Sequence, residues 1–154
     1  MRIHHSSWVN DVVRFAIAAT FVSAVCLPAM TADESQPLME RIDAQRPKYV
    51  EIASHIWRWA EVGYKEAQSS SLLADELEAA GFEIKRGVAD IPTAFVAEFG
   101  QGKPVIGILA EYDALPGMEQ EAVPAKQPVK SNKAGHACGH HLFGTASTWA
   151  AITV

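Results

Sequence analysis

Seven consecutive residues, Gly135-His136-Ala137-Cys138-Gly139-His140-His141, bring together one thiol and three imidazoles. Thiolate and neutral imidazole are the ligands that a borderline-soft divalent metal such as zinc takes. Cys138 and His140 are two positions apart, so extended or tightly looped backbone would project them to one side, where a helix would splay them. Gly139 between them has no Cβ and lets the chain bend. From His141 the sequence Leu-Phe-Gly-Thr-Ala-Ser-Thr-Trp-Ala-Ala-Ile reads as the start of a helix. The plainer reading of a Cys-x-His is a buried cysteine among surface histidines. Residue types alone leave both readings open.

A second set of chemical groups lies upstream. Pro104 to Ala110 is continuously apolar, the pattern of a central strand covered on both faces. Glu111-Tyr112-Asp113 follows at its carboxyl end, where open α/β sheets carry their sites. Carboxylates at that edge can bind a metal or orient a ligand histidine. They are equally compatible with solvated residues at the end of a strand.

The elements that must position these groups are legible in outline. Residues 35–62 read as helical, with Leu38, Ile42, Tyr49, Ile52, Ile56 and Trp59 recurring on one face and Pro47 marking a break or kink. A second helix fits Ala67 to Ala80, with Leu72, Leu73, Leu77 and Ala80 inward and Gly81 as its stop. Trp57, Trp59 and Tyr64 read as core and helix-packing residues. Two further strands are expected at residues 82–85 and 94–99. The turn Gly100–Lys103 is expected to pair the latter antiparallel with residues 104–110. Residues 117–133, with Pro124, Pro128 and mixed charges, form a long surface loop.

The chain has 154 residues, is 49% hydrophobic and 20% charged, and carries a net charge of −5. That is a globular composition, and its scattered basic residues argue against nucleic acid as a partner. Residues 1–32 read as a signal peptide: a basic leader, an apolar stretch Phe15–Leu27, then small residues before the charge returns at Asp33. The apolar stretch is short for a bilayer span, so no stable membrane insertion is expected and an uncleaved anchor is the alternative. Cys26 lacks a lipobox. The expected location is exported, periplasmic or secreted. Within residues 33–154 Cys138 then has no partner for an internal disulfide, leaving it an unpaired thiol or a ligand.

Four ordered stretches resemble one known family: Trp59-Ala-Glu-Val-Gly-Tyr64, Gly87-Val-Ala-Asp-Ile-Pro-Thr-Ala-Phe-Val-Ala97, Gly107-Ile-Leu-Ala-Glu-Tyr-Asp-Ala-Leu-Pro-Gly117 and Gly135-His-Ala-Cys-Gly-His-His-Leu-Phe-Gly-Thr-Ala-Ser147. They are similar to the amino-terminal part of the M20 metallopeptidases and amidohydrolases, in the aminoacylase-like branch that includes p-aminobenzoyl-glutamate hydrolases. The resemblance runs from about Ile52 to the last residue.

It implies an α/β fold, the amino-terminal part of a two-metal aminopeptidase-like catalytic domain, with helices packed on a mixed and incomplete sheet. It also implies two divalent ions, zinc or manganese, and hydrolysis of the amide bond of a small N-acyl or aminobenzoyl amino acid or dipeptide-like substrate. By motif position Cys138 and His140 fall on metal ligands and Asp113 on the aspartate that orients one. Glu111 stands where other branches of the family carry a ligand histidine, a role that in this branch is implied to pass to the Cys-x-His element. His136 and His141 are implied to lie near the metals without ligating them, with the role of His141 left open. Full-length members are dimeric, and they carry a general-base glutamate and further ligands in sequence beyond the Cys-x-His helix. Residues 33–154 are therefore expected to be a fragment of such a domain, inactive alone. The competing expectations are an exported, non-catalytic metal-binding remnant and one part of a split enzyme.

Overall fold

The computed structural model describes residues 32–154, with side chains from residue 36 onward. Apart from Ala32, the signal-peptide reading of residues 1–32 falls outside the described residues. The described elements are helix α1 (Ala32–Trp59), helix α2 (Ala67–Ala79), strands β1 (Glu83–Arg86) and β2 (Phe95–Glu98), and helix α3 (His140–Thr153), with a short 3₁₀ turn at Val88–Asp90 between the strands. None of the described helices is long and apolar enough to cross a membrane.

Helix α1 runs unbroken through Pro37 and Pro47, so the expected interruption at Pro47 does not occur. Proline there removes one N–H and leaves the Asp43 carbonyl without its helical donor. Both residues are exposed, so that carbonyl is open to solvent. The inward face is the one the periodicity marks: Tyr49, Ile52 and Ile56 are buried, and with Leu73 of α2 they form the core. Trp59, Leu72, Phe95, Tyr112, Trp149 and Ile152 pack around it. Tyr49 stacks on Trp149 with ring centroids 4.9 Å apart, which fastens α3 to α1. Arg41 adds a hydrogen bond to the Thr153 carbonyl at 2.5 Å, a cation at the carboxyl end of α3.

Helix α2 ends as expected. Gly81 adopts φ +95°, the Gly81 N–H donates to Glu78 and the Phe82 N–H to Leu77, the bonding of a Schellman stop. Leu73 and Leu77 are buried, but Ala80 is exposed and Ala74 takes the inward place. Tyr64 also departs from expectation. It is exposed, with a positive φ, and contributes nothing to the core.

The described sheet has two strands, β1 and β2, antiparallel with Glu83 opposite Glu98 and Arg86 opposite Phe95. The expected pairing of residues 94–99 with 104–110 does not form. β2 pairs with β1 along one edge, and residues 104–110 do not take up its other edge or join any ladder among the described residues. Val105 is 86% exposed, Ile106 81% and Leu109 71%. The apolar run has the composition of a doubly covered strand without that cover among the described residues. The fold is thus a mixed helical and strand unit compatible with part of an α/β domain. The long loop at residues 117–133 is exposed over most of its length, as the composition implies.

Candidate metal centre

The site is made where α3 begins. Gly139 takes φ +76° at the N-cap, a left-handed conformation that suits glycine, and turns the loop into the helix at His140. The opposing wall is the segment from Glu111 to Leu115, held by three separate contacts. The Leu115 and Gly135 backbones exchange two hydrogen bonds at 3.0 Å. The Ala114 N–H donates to the Glu61 carbonyl at 2.7 Å. On the α3 side, a Cβ added at Gly144 would lie 2.8 Å from the Glu111 carbonyl oxygen, so helix and segment meet backbone to backbone. Ser147 reaches the Leu109 carbonyl at 2.8 Å from the same helix.

These contacts bring Glu111, Asp113 and His140 together, with one ligand atom from each lying within 4.8 Å of the others. Among the described residues no other group of three such side chains converges. His140 Nδ1 is 2.8 Å from Asp113 Oδ1 and His140 Nε2 is 2.9 Å from Glu111 Oε2. A neutral imidazole carries one N–H. With Nδ1–H donating to Asp113, Nε2 turns a lone pair toward a carboxylate oxygen, placing two acceptors face to face. A proton or a metal cation between them resolves the conflict. A carboxylate behind one imidazole nitrogen, with the other free to ligate, is the usual support of a metal-binding histidine.

Behind this group lies a second pair of imidazoles. His136 is 5% exposed, and its Nε2–H donates to the Ile56 carbonyl at 3.0 Å, pinning the loop to α1. His141 packs 4.9 Å from the His136 ring and edge-on to Trp57 at 5.1 Å. The Nδ1 atoms of both are buried without a protein partner. Burial pushes His141 down to about 4, with His136 adding to the effect. Burial also lowers His136, opposed in part by the bond to Ile56. Both rings are therefore neutral at pH 7.

Of the residues singled out in the sequence, the structure gathers Glu111, Asp113 and His140 into one group and sets His136 and His141 directly behind it. Cys138 is an exposed free thiol outside that group. Glu111, expected near the metals without ligating them, stands level with Asp113 against the imidazole.

The positioning residues escaped the sequence reading. Glu61 accepts hydrogen bonds from the Gln68 N–H at 3.0 Å, the Ser69 N–H at 2.9 Å and the Ser69 hydroxyl at 2.8 Å, with the Gln68 amide at 3.4 Å. It caps α2 from outside the usual N-cap position. Burial raises its pKa, but these donors outweigh burial and hold it below the ordinary carboxylate value. Thr93 donates to the buried Glu66 carboxylate at 2.7 Å, and the Thr93 carbonyl accepts from Ser70 at 2.6 Å and Tyr112 at 2.5 Å. Glycines are the one sequence signal that hinted at such sites. A Cβ at Gly135 would fall 2.1 Å from the Met118 carbonyl oxygen.

No family model matches the chain. Individual proteins do. It is 49% identical over 116 residues to one of the subunits of the p-aminobenzoyl-glutamate hydrolase of Escherichia coli, a match covering 75% of this chain and 24% of that protein. It is 37% identical over 93 residues to thermostable carboxypeptidase 1 of Saccharolobus solfataricus, covering 59% of this chain and 23% of the relative. Against hippurate hydrolase of Campylobacter jejuni it is 30% identical over 104 residues, covering 68% and 27%. The chain thus spans about a quarter of the length of these curated relatives. Over the matched stretch, with the carboxylate–imidazole group inside a mixed helical and strand unit, the chain is homologous to amidohydrolases of the M20 family.

Proposed function

We propose that this chain supplies the first part of a metal-dependent hydrolase that cleaves the amide bond of small N-acyl or aminobenzoyl amino acids. The observation that carries the reading is His140, held between Asp113 and Glu111 with one ring nitrogen left facing a carboxylate. His140 Nε2 and the Glu111 carboxylate would hold a divalent cation, zinc or manganese. Asp113 fixes the imidazole tautomer through Nδ1. Cys138, on the loop just ahead of α3, would add a thiolate ligand. Held there, a divalent ion would supply Lewis-acid chemistry for activating water and polarising an amide carbonyl. A second ion, a general-base glutamate and dimerisation belong to the whole protein in this proposal, as do export and the choice of acyl group. Hydrolysis is not assigned to residues 1–154 alone.

The relatives support the substrate class through their names, since an aminobenzoyl-glutamate, a peptide and a hippurate all present an amide beside an amino-acid carboxylate. The test is calorimetric titration of the purified chain with zinc and manganese, wild type against Asp113→Asn and His140→Ala. Stoichiometric binding is expected in the wild type. Loss of the orienting carboxylate should weaken it by about 10–100-fold, and loss of His140 should abolish it. Equal binding by all three proteins would overturn the assignment.

A further inference from the structure

We propose that Glu61 is a positioning residue for the Glu111–Asp113–His140 group, acting through the backbone it fixes. The two ends of this residue do separate work. Its carboxylate oxygens are engaged by four donors of Gln68 and Ser69, one oxygen facing Gln68 and the other facing Ser69. Its carbonyl accepts the Ala114 N–H at 2.7 Å, and Val62 and Ala114 form a parallel bridge beside it. Ala114 is 2% exposed and directly follows Asp113. The start of α2 is thereby coupled to the residue beside the orienting aspartate, through one side chain and one peptide group. Because Ala114 also leads into the Leu115–Gly135 pair, the same link sets the spacing between Asp113 and the loop that delivers His140.

Both carboxylate oxygens are needed for this. An amide in their place has one acceptor, and its NH₂ would face donors of Gln68 or Ser69. Glu61→Gln should therefore release the end of α1 from α2 with almost no change in shape. Ser69→Ala removes a single donor and should act in the same direction more weakly, while Glu61→Asp keeps both acceptors and should restore part of the effect. Leu77→Ala, in the buried face of α2, serves as a control that lowers stability without touching the link.

Two readouts decide the matter. In metal-free protein, hydrogen exchange at the Ala114 amide and the downfield imidazole proton of His140 report the link directly. Glu61→Gln should lose Ala114 protection and the His140 signal, and Leu77→Ala should keep both. In a cobalt titration, which rests on the function proposed above, Glu61→Gln should bind about tenfold more weakly or worse with an altered d–d spectrum. An Ala114 amide and a His140 signal unchanged in Glu61→Gln, or changed equally in Leu77→Ala, would overturn the role of Glu61. Failure of the wild-type chain to bind cobalt would count against the metal site alone, and the metal-free readouts would still decide Glu61.

Discussion

Gly144→Ala sets two physical effects of opposite sign against each other inside α3. On helix propensity alone the substitution should stabilise, since glycine in a helix interior costs about 1 kcal/mol relative to alanine. The packing says otherwise. The new Cβ would meet the Glu111 carbonyl oxygen at 2.8 Å, Leu73 Cδ1 at 3.1 Å and Tyr112 Cβ at 3.2 Å. The leucine methyl can rotate aside, but the carbonyl oxygen belongs to backbone. Ordinary contact begins at 3.4 Å, so helix and segment must separate by about 0.6 Å. Overpacking of this kind costs about 1–3 kcal/mol, which matches or outweighs the propensity gain. The expected net is a destabilisation of about 1 kcal/mol, read as a lower urea midpoint with an unchanged slope. The separation also moves Glu111 and Asp113 away from His140, so the imidazole proton resonance of His140 should shift in the same variant. A Gly144→Ala protein about 1 kcal/mol more stable than wild type, with His140 unmoved, would show that α3 does not lie against the Glu111 backbone.

Two further outcomes follow from buried polar groups. His141 is held neutral, with its pKa lowered from 6.5 to about 4. The unfolded chain therefore takes up a proton at higher pH than the folded one, and stability is lost as pH falls from about 6.5 through about 4. The full shift corresponds to about 3 kcal/mol, and solvent screening of a partly exposed ring reduces that to about 1 kcal/mol. Urea midpoints at pH 7 and pH 4.5 should differ less in His141→Leu than in the wild type, and an identical pH dependence would refute the burial argument. Thr93→Val removes the donor to the buried Glu66 carboxylate while keeping shape. The expected loss is about 1–3 kcal/mol, measured by thermal or urea unfolding.

What the sequence shows well are features written by periodicity and by glycine. The buried stripe Tyr49, Ile52 and Ile56, the Gly81 stop and the Gly139 bend all follow from local rules that tertiary context does not override. The carboxylate–imidazole group was legible as two separate hints, at Glu111–Asp113 and at Cys138–His140, and the structure joins them. Pro47 misled because proline's cost falls on one carbonyl, and an exposed helix face lets water meet it. The strand at residues 104–110 misled for a different reason. An apolar run states that a segment needs neighbours, not which neighbours are present. Glu61 was invisible because capping is sought in the residue before the helix, whereas this carboxylate reaches α2 from six residues ahead of Ala67. Such reach depends on the turn between Ala60 and Glu66, which no spacing rule encodes.

The uncovered run between Lys103 and Glu111 also bears on how molecules of this chain meet one another. Exposed strands in natural sheets defend themselves with a bulge, a proline or a charge in mid-strand. Here the proline, Pro104, and the only charges stand at the ends, the charges as gatekeepers of opposite sign, and Gly107 lies midway between them. In an antiparallel encounter centred on that glycine, Val105 would face Leu109, Ile106 would face Ile108, and each Lys103 would face a Glu111. The flanking charges that should deter such an encounter would instead attract, so the segment is complementary to its own copy.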